Sequence, residues 1–164
     1  MANFALDRDF TTQARKLLFR DLYPRLAWGG HVVDMQGSNC ADFIQRHVHI
    51  DVAIATHDHA MLGIEEKIVR GKFERFVIET HSDTRNSPPD GWIYTSAADR
   101  LLYCFTLQSG LECHYLNMGQ LRQWWQGKDG QYPVHTSRTY GWVTQYSLVP
   151  IRDVPKHEIY ELRW

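Results

Sequence analysis

Apolar residues recur at helical spacing near the start of the chain and in short β-like runs through most of the rest. In residues 7–26 (DRDFTTQARKLLFRDLYPRL), Phe10, Ala14, Leu17, Leu18 and Leu22 share one helical face. Asp7 or Asp9 offers a start for this helix, and Pro24 marks the neighbourhood of its end. After the Gly29-Gly30 break, a short strand is predicted from His31 to Met35, and Gly37 to Asp42 reads as a loop. Runs rich in Val and Ile then predict strands over 47–55, 61–69 and 74–81. The first two flank a polar turn centred on His57-Asp58-His59, so they form a hairpin. The stretch SDTRNSPPDG carries turn residues throughout. Trp92-Ile93-Tyr94 precedes Ser96–Asp99, which reads as one helical turn at most. LLYCFTLQSGLECHYLNM predicts a second hairpin turning at Ser109-Gly110, and MGQLRQWWQGK a short helix with Leu121, Trp124 and Trp125 at its apolar face. The tail, YGWVTQYSLVPIRDV and EIYELRW, holds one or two further strands. The order helix, mixed sheet, helix, strand predicts a single domain, 1–164, of the α+β or α/β class.

Composition narrows the class. The chain has 164 residues, 43% hydrophobic and 23% charged, which fits a folded domain and not a disordered segment. Aromatic residues reach 13%, including six Trp and eight Tyr, so wide flat contacts are expected in the core or along a groove. A net charge of −1 does not by itself point to nucleic acid, although a local basic patch is compatible with it. Cys40, Cys104 and Cys113 form no CxxC pair, and an odd number of thiols argues for a reducing compartment. The N-terminus lacks an apolar leader and no run reaches the length of a membrane span, so a cytoplasmic protein without a membrane partner is expected.

The candidate chemistry lies in the first hairpin, HIDVAIATHDHAMLGIEEKIV. Alternation along a strand puts Glu65 and Lys67 on one face, and pairing of the strands brings Asp51 beside them. Ile50, Val52 and Ile54 are expected to face the core while Asp51 faces a cleft. Glu66 falls with Ile64 and Ile68 on the apolar side. Two neighbouring carboxylates gather a hard divalent cation such as Mg2+. A lysine beside that ion orients or activates a water. These parts suffice for metal-assisted hydrolysis of a phosphodiester.

With its acid on one strand and Glu65-x-Lys67 on the next, the chain resembles the PD-(D/E)XK nuclease-like superfamily, the restriction-endonuclease-like fold. The helix ahead of the sheet is in keeping with it. The stretch FVIETHSDTRNSPPDGWIYTSAADRLLYCF is similar to phage-type members, in which a strand carrying an acid leads through a Gly-Trp loop into an Ala-Asp turn and another strand. The resemblance covers roughly residues 7–126. It departs from the family name in one place, since Ile50 and not Pro precedes Asp51. The resemblance implies a restriction-endonuclease-like core, a mixed sheet flanked by helices. It also implies a DNA endonuclease using Mg2+ or Mn2+, with Asp51, Glu65 and Lys67 as the catalytic set. Asp51, Glu65 and the backbone carbonyl of Glu66 are the implied metal ligands. DNA is the implied partner, a homodimer is compatible with cutting two strands, and a phage protein would work in the host-cell cytoplasm.

Other readings remain open at this point. The trio could be an exposed strand face with a salt bridge. Glu79, on the next strand, reads as a surface residue with an extra site acid as the alternative, and a helix acid such as Asp21 is a further candidate. Arg70, Lys72 and Arg75 gather just after the Glu-x-Lys strand, where phosphates could bind, with Arg15, Lys16, Arg20 and Arg25 as additions. His57 or His59 could touch phosphate as well. Trp92 and Tyr94 read first as core, and alternatively as a platform for unpaired bases. Two alternatives of a different kind are a catalytically inactive nuclease-fold protein, binding nucleic acid or a protein as a phage accessory factor or inhibitor, and a Zn2+ or Fe2+ enzyme built on His47, His49, His57 and His59.

Overall fold

The structure is a computed structural model, and it describes residues 4–35, 50–57, 60–85, 91–128, 130–139 and 142–164. The amphipathic N-terminal stretch forms α1 (Phe4–Leu17), a π-helical turn (Leu18–Leu22) and α2 (Tyr23–Ala27). Pro24 therefore does not end the helix. It sits in the first turn of α2, where its missing N–H costs nothing, and the wider π turn precedes it. The helix stops where Trp28 (φ 47°) and Gly29 (φ 82°) turn left-handed.

The strands that follow are β1 (His31–Asp34), β2 (Val52–Ala55), β3 (Met61–Val69) and β4 (Arg75–His81). A single turn, α3 (Trp92–Thr95), leads to β5 (Arg100–Leu107) and β6 (Gly110–Asn117). After α4 (Met118–Gln126) come β7 (Val134–Thr139), β8 (Trp142–Pro150) and β9 (Glu158–Arg163). The chain is a mixed α+β fold, as its pattern predicts. Among the described residues, one sheet has six strands in the order β1-β2-β3-β5-β6-β9 and the other three in the order β4-β8-β7. Strands β3 and β5 are parallel, and the chain crosses between them through β4 and α3. Every other pair in the two sheets is antiparallel.

Alternation along β5 defines the layers. Leu102 and Cys104 pack with Ala14, Leu18, Leu22 and Tyr23 on the helical side. Leu101, Tyr103 and Phe105 pack with Phe76, Ile78, Trp92 and Val149 on the side of the small sheet. The six-stranded sheet is thus buried on both faces, which explains why its central strands read as continuous apolar runs. Cys104 and Cys113 face each other across β5 and β6 as buried free thiols with sulfurs 3.3 Å apart.

Several expectations need correction. The strand foreseen over 47–55 pairs as β2 only from Val52, and 47–49 lie outside the described residues. Ile50 does not join Val52 and Ile54. It packs on the opposite cluster, because the alternation of β2 has not yet begun there. The helical turn foreseen at Ser96–Asp99 sits instead at Trp92–Thr95. The tail segments YGWVTQYSLVPIRDV and EIYELRW hold two strands, β8 and β9, within the one or two expected, but a strand ahead of them was not foreseen. That strand, β7, is VHTSRT, largely polar and exposed, and among the described residues it pairs with β8 alone.

Candidate functional site

Hairpin register assembles the site. Val52 lies opposite Ile64 and Ala53 opposite Gly63, so one further step sets Asp51 beside Glu65. The backbone confirms that step, since the Asp51 N–H donates to the Ile64 carbonyl at 2.8 Å. Val52, Ile54 and Ile64 point to the helical layer, which leaves Asp51 and Glu65 on the face turned towards the small sheet. The Asp51 carboxylate accepts the Glu66 N–H at 2.7 Å. This bond ties the acid of one strand to the backbone between the acid and the lysine of the next.

Glu65 is 3% exposed. Burial pushes its carboxyl above the ordinary range, the Lys67 ammonium pulls it back, and the charges of Asp51 and Glu79 push it up again; the net shift is upward. Lys67 Nζ lies 2.5 Å from Glu65 Oε1 and 5.8 Å from the centroid of the Trp92 ring. Trp92 is itself buried, as the first reading of that residue expected, while Tyr94 is 39% exposed.

Glu66 points the other way, into the helices. Its Oε1 accepts a short hydrogen bond from the Tyr23 hydroxyl, and Arg15 Nε lies 2.9 Å from its Oε2. The Arg15 contact rests on charge more than on an aligned hydrogen bond. Arg15 also donates to Asp34 at 2.9 Å. Burial raises the Glu66 carboxyl to about 7, against the pull of Arg15 and the Tyr23 hydroxyl. Arg15 is thus spent inside the fold and is no part of an outer basic surface. Arg20 pairs with Asp21 at 2.7 Å, so that helix acid is engaged at the surface.

Two further elements hold the trio in place. Asp99 Oδ2 accepts the Gly63 N–H at 2.8 Å, and the Asp99 N–H donates to the Gly63 carbonyl at 2.9 Å. The start of β3 is thereby clamped to the turn before β5. Gly91 N–H donates to the Thr80 carbonyl at 3.0 Å, and a Cβ at Gly91 would lie 2.3 Å from the Glu79 carbonyl oxygen. Only glycine lets that loop approach β4 so closely, and the approach sets Trp92 beneath Lys67.

Past Lys67 the same face opens into a cleft of about 760 Å³ between the two sheets. Val69, Val77, Tyr103, Tyr146 and Leu148 line it. Tyr103 is the register partner of Lys67 on β5, and its hydroxyl accepts the Val77 N–H at 3.1 Å. Burial raises that phenol to about 12. Lys72 and Arg75 stand at the mouth, but Lys72 is paired with Glu112 at 2.7 Å. Arg70 is exposed, with its guanidinium 6.0 Å from the Phe10 ring centroid. His57 is exposed at the β2–β3 turn, and His47, His49, Asp58 and His59 lie outside the described residues.

Among the described residues, no group of three or more His, Cys, Asp or Glu side chains is disposed to hold a metal ion. A cation here would rest on the two carboxylates and a backbone carbonyl, with water completing its shell. That set of hard oxygens fits Mg2+ or Mn2+, and the mutual repulsion recorded at Glu65 is what such an ion relieves.

Compared with known proteins, the chain matches no family model, no curated protein and no solved structure. No helix among the described residues is long and apolar enough to cross a membrane.

Reading the sequence placed Glu79 at the surface and gave the Glu66 side chain no role. Glu79 is half-buried, close enough for its charge to reach Glu65, and accepts the Ser82 hydroxyl at 2.6 Å. Alternation along β4 carried that signal, because Glu79 follows Val77 on the face opposite the buried Phe76 and Ile78. Tyr103 and Tyr146 had no local signal. They join the site only through the parallel β3–β5 pairing and the folding of the small sheet over it.

Proposed function

We propose that the protein is a divalent-metal-dependent DNA endonuclease, with Asp51, Glu65 and Lys67 as its catalytic set and a restriction-endonuclease-like core. The observation that carries the reading is the hairpin register: Asp51 beside Glu65, Lys67 on the same face, and the Glu66 amide held by Asp51. The helix preceding the sheet and the Gly91-Trp92 loop leading to Asp99 are in keeping with the resemblance to phage-type members. Mg2+ or Mn2+, held by Asp51, Glu65 and the Glu66 carbonyl, would supply Lewis acidity towards the phosphodiester and acidify a water.

The remaining chemistry belongs to the chain. Lys67 leaves Glu65 when that carboxylate is engaged elsewhere, and its ammonium then orients the attacking water and stabilises charge building on the phosphoryl oxygens. Asp51 keeps the Glu66 peptide in register through its hydrogen bond. Trp92 covers the other side of the lysine, shielding the ion pair from water.

The test is a cleavage assay on supercoiled plasmid, linear duplex, single-stranded and branched DNA, with Mg2+, Mn2+ or EDTA. Metal-dependent cutting by the wild-type chain is the expected result, and no cutting of any substrate would overturn it. One observation favours a second reading, a binding protein of the same fold. Lys67 is closed onto Glu65, and the described side chains make no three-membered metal cluster. DNA binding that persists in EDTA without cleavage would support that reading.

A further inference from the structure

The cleft beyond Lys67 has a composition that the catalytic set does not explain. Its position is fixed by strand geometry. Val69 lies two residues past Lys67 on the same face of β3, Val77 lies two residues before Glu79 on β4, and Tyr103 is the β5 neighbour of Lys67. Tyr103, itself buried beneath the cleft, is one strand spacing, about 5 Å, from the lysine.

The walls are largely apolar and only partly covered. Val69, Val77, Tyr146 and Leu148 are half-buried, and Phe73 at the mouth is 53% exposed. Tyr146 is braced from the side by His135, its register partner on β7, stacked on it with ring centroids 5.6 Å apart and planes 24° from parallel. A flat, braced aromatic face opening into a cleft of about 760 Å³ offers a stacking partner to a planar ligand.

Charge decides which planar ligand. A groove that tracks duplex phosphates needs a row of cations. Here Lys72 is neutralised by Glu112, Glu74 stands beside Arg75 at the mouth, and Arg15 is turned inward to Glu66. Few cations and an aromatic floor suit one base removed from its stack.

We infer that this cleft takes a single unpaired base of a DNA strand, so that the enzyme acts on single-stranded or frayed DNA in preference to continuous duplex. The inference rests on the nuclease reading for its substrate, but the binding step is measured apart from cleavage. Tyr146 is the register partner of Glu79, whose charge reaches Glu65, so a base held there lies on the side of the Glu65–Lys67 pair.

The experiment is fluorescence anisotropy in EDTA with the full chain. The probe is a fluorescein-labelled oligothymidylate, free or annealed to its complement. The single strand is expected to bind about tenfold or more tightly than the duplex. Tyr146→Ala should lose about tenfold in single-strand affinity, and Tyr146→Phe should retain it. Ser137→Glu, at an exposed position on the rim, should weaken binding without disturbing the core. Equal or tighter binding of duplex, or a single-strand affinity unchanged by both Tyr146→Ala and Ser137→Glu, would overturn the inference. Cleavage of forked and flush duplexes in Mg2+ separates the two claims. Tyr146-dependent binding with no cutting removes the nuclease and leaves the cleft. Cutting that prefers flush duplex and ignores Tyr146→Ala removes the cleft and leaves the nuclease.

Discussion

Glu66→Gln should flatten the pH dependence of stability, because burial raises the Glu66 carboxyl well above its ordinary range. Its ordinary value of 4.5 is raised to about 7, with burial as the largest cause. The native state therefore binds more protons than the unfolded chain between those limits. Stability from this group is complete below about 4.5 and is lost as pH climbs through about 7. That rise in the carboxyl corresponds to about 3 kcal/mol, most of it falling between pH 5 and pH 8. Glutamine keeps an oxygen for the Tyr23 hydroxyl and does not titrate. Its absolute effect also includes the loss of the Arg15 charge contact, so the informative quantity is the slope and not a single value. Urea unfolding of both proteins at pH 5, 6, 7 and 8 supplies it. The wild type should lose about 2–3 kcal/mol relative to the variant across that range. Parallel profiles would refute the reasoning, because Glu66 would then titrate alike in the folded and unfolded chains.

Gly91→Ala drives a methyl into the β4 backbone, and thermal unfolding should register a loss of about 3 kcal/mol, the upper end for overpacking, because backbone cannot step aside. Asp99→Ala leaves the Gly63 N–H without its carboxylate at the start of β3 and should cost about 1–3 kcal/mol in chemical denaturation; an unchanged midpoint would remove Asp99 as the clamp. Mn2+ at about one hundred times its dissociation constant should stabilise the wild type by about 2.7 kcal/mol in a thermal-shift experiment. Asp51→Asn should abolish that gain, and a gain equal in both proteins would place the ion elsewhere.

The legible part of this molecule was its local periodicity. The bounds of β3 coincide with the run 61–69, and the hairpin expected to turn at Ser109-Gly110 turns one residue earlier, at Gln108-Ser109, with Gly110 already paired to Leu107. Asp51, Glu65 and Lys67 could be grouped from sequence because a hairpin brings near neighbours together by register alone. Glu66 was legible only in its direction. Alternation turned it towards the helices, but nothing local announced that Tyr23 and Arg15 wait there, far back in the chain. Tyr146 illustrates the other limit. It sits in a strand whose pattern is half-exposed, and its place in the cleft follows from β8 pairing with β4 and the small sheet lying across the large one. Such long-range placement leaves no period in the sequence. Pro24 did mark the neighbourhood of the helix end, since α2 stops at Ala27, and a π turn ahead of it lets the helix run on through the proline for its last turn.

The most direct measurement is single-turnover cleavage of a labelled forked DNA in Mn2+ by the wild type and by Lys67→Ala, with binding of the same DNA read in EDTA. Metal-dependent cleavage that falls by about a hundredfold or more in the variant, with DNA affinity and unfolding midpoint retained, is the predicted result. Cleavage at the wild-type rate by Lys67→Ala, or by either protein in EDTA, would contradict the assignment of this hairpin as a metal-dependent nuclease site.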